Sequence, residues 1–218
     1  MNRKGIVRKA TLTAFAVALG FAGTAPALAA SAGTPIHTTA DLNGDGTPED
    51  VVSWQAGRGD QVVSAIVNGR RTSIHLPADG RVGILPPRVA DLNGDGRAEL
   101  LVATSFGADT TTFSVLHFDG RKLSRVVGAD HRPFSVAEGG GTAAHLGYMC
   151  MAPGGDRLFV TVVSSADDVA LPADEITYTG TRTIYALRDG ALRVLEEDAF
   201  AGRPTSDTIT MVYAPSCV

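Results

Sequence analysis

The chain has 218 residues, a formal net charge of −4 and two cysteines. That length suits one domain or two small ones. The acidic balance disfavours holding nucleic acid or an anionic membrane through a general electrostatic field, and it is compatible with divalent cations.

The first element is an address. Arg3, Lys4, Arg8 and Lys9 precede an apolar stretch from Ala10 to Ala22, and Ala27-Leu28-Ala29 supplies small residues for cleavage. This order predicts a signal peptide over residues 1–29 and a secreted protein. The apolar core is short for a membrane span and no stop-transfer flank follows, so no span is expected after cleavage. Losing four basic residues makes the exported part more acidic still. Residues 30–40 are expected to be an extended lead-in.

The chain then repeats itself. Residues 40–52 read A-D-L-N-G-D-G-T-P-E-D-V-V, and residues 90–102 read A-D-L-N-G-D-G-R-A-E-L-L-V, 50 positions later. Each loop runs into an apolar strand, Val51 to Trp54 and Leu100 to Ala103. A second strand and a tight turn follow: Val62 to Val67 with Asn68-Gly69, then Phe113 to Phe118 with Asp119-Gly120. Asn-Gly and Asp-Gly between alternating apolar residues predict hairpins, because these turns need positive φ. Trp54, on the first post-loop strand, is expected in the core.

A degraded third copy has Gly154-Gly155-Asp156 at the loop, Leu158 to Val163 as a strand, and Thr183 to Leu187 leading to Asp189-Gly190. It has gained an acidic extension around Asp167 to Glu175. Ala191 to Ala199 follows a D-G turn and reads as a strand. Ala137 to Ala144, with Gly139 to Gly141, is expected to be a flexible loop. Thr208 to Ala214 is expected to form a C-terminal strand. The repeats therefore fall at about 41–90, 91–150 and 151–205, with the last strand at 207–214. Short β-branched or aromatic segments between frequent turns define an all-β chain.

The repeated loop carries the chemistry. Counting Asp41 and Asp91 as position 1, side-chain oxygens fall at positions 1, 3, 5 and 9. These are Asp41, Asn43, Asp45 and Glu49, then Asp91, Asn93, Asp95 and Glu99. At position 7, Thr47 and Arg97 would offer a backbone carbonyl. Hard oxygen donors in this number suit Ca²⁺; Mg²⁺ takes fewer protein ligands, and zinc prefers His or Cys. An EF-hand is excluded, since position 12 is Val52 or Val102 rather than an acid. The alternative is a pair of polar turns without metal, which would leave converging carboxylates to repel one another.

The D-L-N-G-D-G-x-x-E loop leading into a Val/Leu run resembles the FG-GAP/VCBS repeat. The resemblance covers residues 41 to about 198. It implies blade-like antiparallel sheets of β-propeller type, with calcium in a loop between two strands. Two departures stand out: Glu replaces the family's frequent Asp at position 9, and about three repeats are fewer than close a propeller. A partial or compact propeller is the expectation.

Cys150 and Cys217 lie in the exported part, and a lone pair there is expected to form a disulfide worth roughly 4 kcal/mol by the chain-entropy model. Arg58-Gly59-Asp60 sits at an expected hairpin tip. It reads either as an ordinary glycine turn or as an integrin-type recognition tripeptide. The five histidines are scattered without metal-ligand spacing, and no G-x-S-x-G elbow is present. The reading is a secreted, non-enzymatic calcium-binding module with an unidentified protein or glycan partner and no nucleic acid. A secreted adhesin and a hydrolase on a propeller-like scaffold are the alternatives.

Overall fold

The computed structural model describes residues 34–218. The expected signal peptide lies outside them. The described chain is all-β, with thirteen antiparallel strands in two open sheets. Neither sheet closes into a barrel, and the sheets do not form a ring of blades.

The first sheet is a four-stranded meander. Strand β1 (Ile36–Ala40) pairs with β2 (Glu49–Gly57), which pairs with β3 (Asp60–Val67) and then β4 (Arg70–Pro77). The expected lead-in is thus partly a true strand, in register from Ile36 opposite Ser53 to Ala40 opposite Glu49. The β3–β4 turn has Asn68 at φ 52° and Gly69 at φ 74°, the double positive φ that an Asn-Gly hairpin supplies.

The second sheet joins two more units. Strands β5 (Arg88–Ala90), β6 (Glu99–Phe106) and β7 (Thr110–Phe118) form the start of one. Its fourth position is split between β8 (Leu123–Arg125) and β9 (Ser135–Gly139), both paired with β7. The last unit is β10 (Ala144–Met151), β11 (Leu158–Ala166), β12 (Tyr178–Arg188) and β13 (Ala191–Arg203). The pair of Leu146 with Gly139 and a parallel bridge of Val127 with Ala191 join the two units. In each unit the D-L-N-G-D-G loop, or its degraded counterpart, connects the first strand to the second.

Side-chain alternation explains how the units stack. Successive residues of a strand point to opposite faces. On β6, Leu100 and Val102 join a core with Val51, Val63 and Leu76 of the first unit. Their neighbours Leu101 and Ala103 join a different core with Tyr148, Phe159 and Leu187 of the last unit. The middle unit is therefore buried on both faces, which is why its central strand reads as an unbroken apolar run.

Three expectations change. Ala137 to Ala144 is not one loop: residues 135–139 are β9, and Ala144 opens β10. Gly139 has φ 106°, and a Cβ there would fall 2.1 Å from the Asp109 carbonyl oxygen, so the glycine serves a close backbone approach. Residues 207–214 form no strand. Asp207 caps a 3-10 turn, Thr208–Thr210, by accepting from the Ile209 N–H, and Pro215 sits in a second one, Ala214–Cys217. The β-branched pattern there covers the last unit instead, with Ile209 and Val212 packed over Val162, Tyr178 and Phe200. Trp54, finally, is only partly buried. It points away from the core that Val51 enters, because it is an odd number of residues along β2.

Cys150 and Cys217 are joined by a disulfide. It fixes the chain end beside β10, where the Cys150 N–H donates to Ser216 Oγ at 2.8 Å.

Candidate metal centre

The backbone N–H groups of the two loops are bonded in the same way. Asp41 Oδ1 accepts from the N–H of Gly44 at 2.7 Å and of Asp45 at 3.2 Å, and its Oδ2 accepts from Gly46 at 2.8 Å. Asp91 does the same for Gly94, Asp95 and Gly96, at 2.7, 3.2 and 3.2 Å. Asn43 Oδ1 takes the Asp45 N–H and Asp45 Oδ1 takes the Thr47 N–H, each at 2.8 Å. Asn93 and Asp95 repeat this at 3.1 and 2.8 Å. The side chains of positions 1, 3 and 5 thus satisfy the backbone donors of a tight turn that lacks any ladder partner.

Position 9 closes each loop from the strand side. Glu49 Oε2 accepts the Leu42 N–H at 2.8 Å, and Glu99 Oε2 accepts the Leu92 N–H at 2.8 Å. Glu99 is 4% exposed. Burial, opposed by the Leu92 hydrogen bond but reinforced by the charges of Asp95 and Asp91, pushes its carboxyl up to about 8. Asp45 behaves oppositely: hydrogen bonds from Asn43 and Thr47 hold it below the usual carboxylate range.

Among the described residues, no three His, Cys, Asp or Glu side chains gather around one point. The convergence in the first loop is instead of carboxylates with amides. Asn43 Nδ2 donates to Asp45 Oδ2 at 2.9 Å, Glu49 Oε1 at 2.9 Å and Asn68 Oδ1 at 3.2 Å. Three oxygens from three stretches of chain thus surround one positively polarised group. All are hard donors, so the residues suit a cation such as Ca²⁺ in chemistry. In the second loop Asn93 Nδ2 donates only to Asp95 Oδ2, at 3.1 Å.

The turn residues were not anticipated as part of this site. Asn68 reaches the first loop from the β3–β4 hairpin. Its counterparts Asp119 and Asp189 line a cavity of about 120 Å³ beside the second loop, with Asn93, Asp95, Glu99 and His117. The available signal was the N-G or D-G pair at nearly the same distance from the two intact loops, Asn68 after Asp41 and Asp119 after Asp91. His117 is held below its ordinary pKa by burial, against the opposing charges of Asp119 and Asp189.

Position 7 makes a contact between units. A Cβ at Gly44, where φ is 75°, would come within 3.0 Å of Arg97 Cγ, so the Arg97 side chain lies over the first loop. Likewise a Cβ at Gly94 would meet Arg157 Cβ at 3.0 Å. The carbonyl oxygen of position 1 is also taken by the next unit: Asp41 by the Ala98 N–H at 2.7 Å, and Asp91 by Arg157 Nη1 at 2.7 Å. The degraded third loop therefore keeps the stacking role while Met151, Pro153 and Gly155 replace the oxygen donors.

Arg58-Gly59-Asp60 does occupy the β2–β3 turn. Two of its groups have partners within the protein: the Gly59 carbonyl accepts from the Ala78 N–H at 3.1 Å, and the partly exposed Asp60 pairs with His75 Nδ1 at 3.0 Å. Comparison with protein-family models, curated proteins and solved structures gives no match for the chain.

Proposed function

We propose that this chain is a secreted, non-enzymatic calcium-binding β-repeat protein of FG-GAP/VCBS type, an interaction module in which calcium is structural. Its units are blade-like and stacked openly, three to a chain, rather than closed into a propeller ring. Asp41, Asn43, Asp45, the Thr47 carbonyl and Glu49 would hold one ion, with Asn68 beside them. Asp91, Asn93, Asp95, the Arg97 carbonyl and Glu99 would hold the other. The ion would supply positive charge to carboxylates that otherwise face one another, and so tie the β1–β2 and β5–β6 connections to their strands.

The observation that carries this reading is the repetition in both loops of the same turn, in which the position 1, 3 and 5 side chains accept the same backbone N–H groups. Isothermal calorimetry of protein freed of metal with EDTA tests it. Two equivalents of Ca²⁺ should bind, and the melting temperature should rise with the ion in excess, since a ligand of the folded state stabilises by mass action. No binding heat together with an unchanged melting curve would sink the proposal.

A further inference from the structure

The stack of three units has two outer faces, and the chain treats them differently. On the last unit, the face carrying Val162 is covered by the chain's own C-terminal segment, through Ile209 and Val212. Val212 sits so close to Gly147 that a Cβ there would meet its side chain at 2.9 Å. His145 Nε2 lies 2.8 Å from the Thr210 carbonyl oxygen, and the Cys150–Cys217 disulfide holds the end of the segment.

The outer face of the first unit has no such cover among the described residues. Alternation places Val52 and Trp54 of β2, Val62, Ser64 and Ile66 of β3, and Arg71 of β4 on it. Val52, Trp54 and Ile66 belong to none of the three core clusters, while Val62 and Ser64, 5% and 1% exposed, are shielded by their neighbours on the face. Ile66 is 51% exposed on β3, at the end of the face next to the β3–β4 turn. It pairs with Arg71 on one side, and the β2–β3 register places Asp50 on the other. A shallow cavity of about 140 Å³ is lined by these three residues with Val52, Ser64 and Ala65.

We propose that this face is the interface of a symmetric homodimer, its occupant a second copy of this chain. The acid–isoleucine–arginine row is complementary to itself: Asp50, held on its far side by His37 Nδ1 of β1 at 3.0 Å, stays exposed enough to meet a second cation. A two-fold axis lying between two such faces and running along β3 sets Ile66 against its own copy. The same operation brings each Asp50 over Arg71 of the second copy. The shared patch follows from the covered far face: head-to-tail association would need the last unit's outer surface, and the C-terminal segment occupies it. What is left is an isologous contact, in which both copies use one surface. Size agrees. Three strands of eight or nine residues and the five-residue β1 present roughly 500 Å² per copy, and the pair buries on the order of 1,000 Å², the size of a weak, reversible contact.

The test is sedimentation equilibrium of the exported chain, from low micromolar to submillimolar concentration, with iodide quenching of Trp54 fluorescence alongside. Trp54 is the only tryptophan, so its signal reports this face alone. The expected result is a reversible monomer–dimer equilibrium with quenching that falls as dimer forms. Ile66→Arg should abolish the dimer and leave circular dichroism unchanged. Asp50→Arg and Arg71→Asp should each weaken association at least tenfold, and the double exchange should restore it. A monomer at every concentration overturns the proposal, whether Trp54 is open to iodide or shielded by residues of its own chain. A dimer indifferent to Ile66→Arg overturns it too, by placing the contact elsewhere.

Discussion

Glu99 accepts the backbone N–H of Leu92 at 2.8 Å from a position almost sealed from solvent. Its carboxyl, pushed up to about 8 by burial and by its acidic neighbours, keeps a proton that an unfolded glutamate loses near 4.5. Between those values the folded state of the metal-free protein binds more protons than the unfolded state. Stability must therefore fall as pH rises from about 4.5 to about 8 through this group. Urea unfolding of EDTA-treated protein across that range should show the decline, and Glu99→Gln should flatten it. A wild-type profile that rises steadily through the window would contradict the assignment.

Glu99 also separates what was legible in the sequence from what was not. The spacing of Asp91, Asn93, Asp95 and Glu99 was plain, because a repeated six-residue string in two places leaves little room for accident. The hairpin turns were equally plain, because Asn68-Gly69 and Asp189-Gly190 answer a backbone demand that few residues meet. The strand before each loop was not: β1 and β5 are short and take their pairing from β2 and β6 rather than from a pattern of their own. Thr208 to Ala214 misled for a related reason. Its alternation of β-branched residues is a surface-covering pattern here, and the Asp207 cap with the tether at Cys217 decides the local geometry. Trp54 shows the limit of placing a bulky residue in a core by type, since one position along a strand reverses the face.

Arg157 links the degraded loop to the second one much as Arg97 lies over the first. Its Nη1 donates to the Asp91 carbonyl at 2.7 Å, and its stem packs against Gly94. Arg157→Ala should cost about 1.5–3 kcal/mol, the range for a charge-assisted hydrogen bond. Arg157→Lys should recover only part, because the stem survives while the planar donor geometry is lost. Equilibrium urea unfolding gives both numbers, and a change in Arg157→Ala within a few tenths of a kcal/mol would remove the contact from consideration.

Leu100 and Leu101 are adjacent, fully buried and committed to different cores. Each alanine substitution should destabilise by about 2–5 kcal/mol, through lost transfer energy and the cavity left behind. The two should differ in where the structure loosens. Native-state hydrogen exchange should show Leu100→Ala weakening protection in β2 and β3, and Leu101→Ala weakening it in β10 and β11. Identical exchange patterns for both variants would mean that the middle unit does not separate two cores.

The C-terminal tether reaches the second loop directly, since the Cys217 carbonyl accepts the Asp91 N–H at 3.0 Å. Cys217 itself has no exposed surface. Removing the disulfide with Cys150→Ser and Cys217→Ser should cost about 2–5 kcal/mol, chiefly by restoring freedom to the unfolded chain. A purely unfolded-state effect would lower all amide protection factors alike. The geometry calls for more: once the last residues are free to swing, the Asp91 N–H loses its acceptor, while the Ala98 N–H keeps its bond to Asp41. Exchange at Asp91 should therefore accelerate beyond the global change and exchange at Ala98 should track it. If the two amides shift together, the tether stabilises the fold without positioning the second loop.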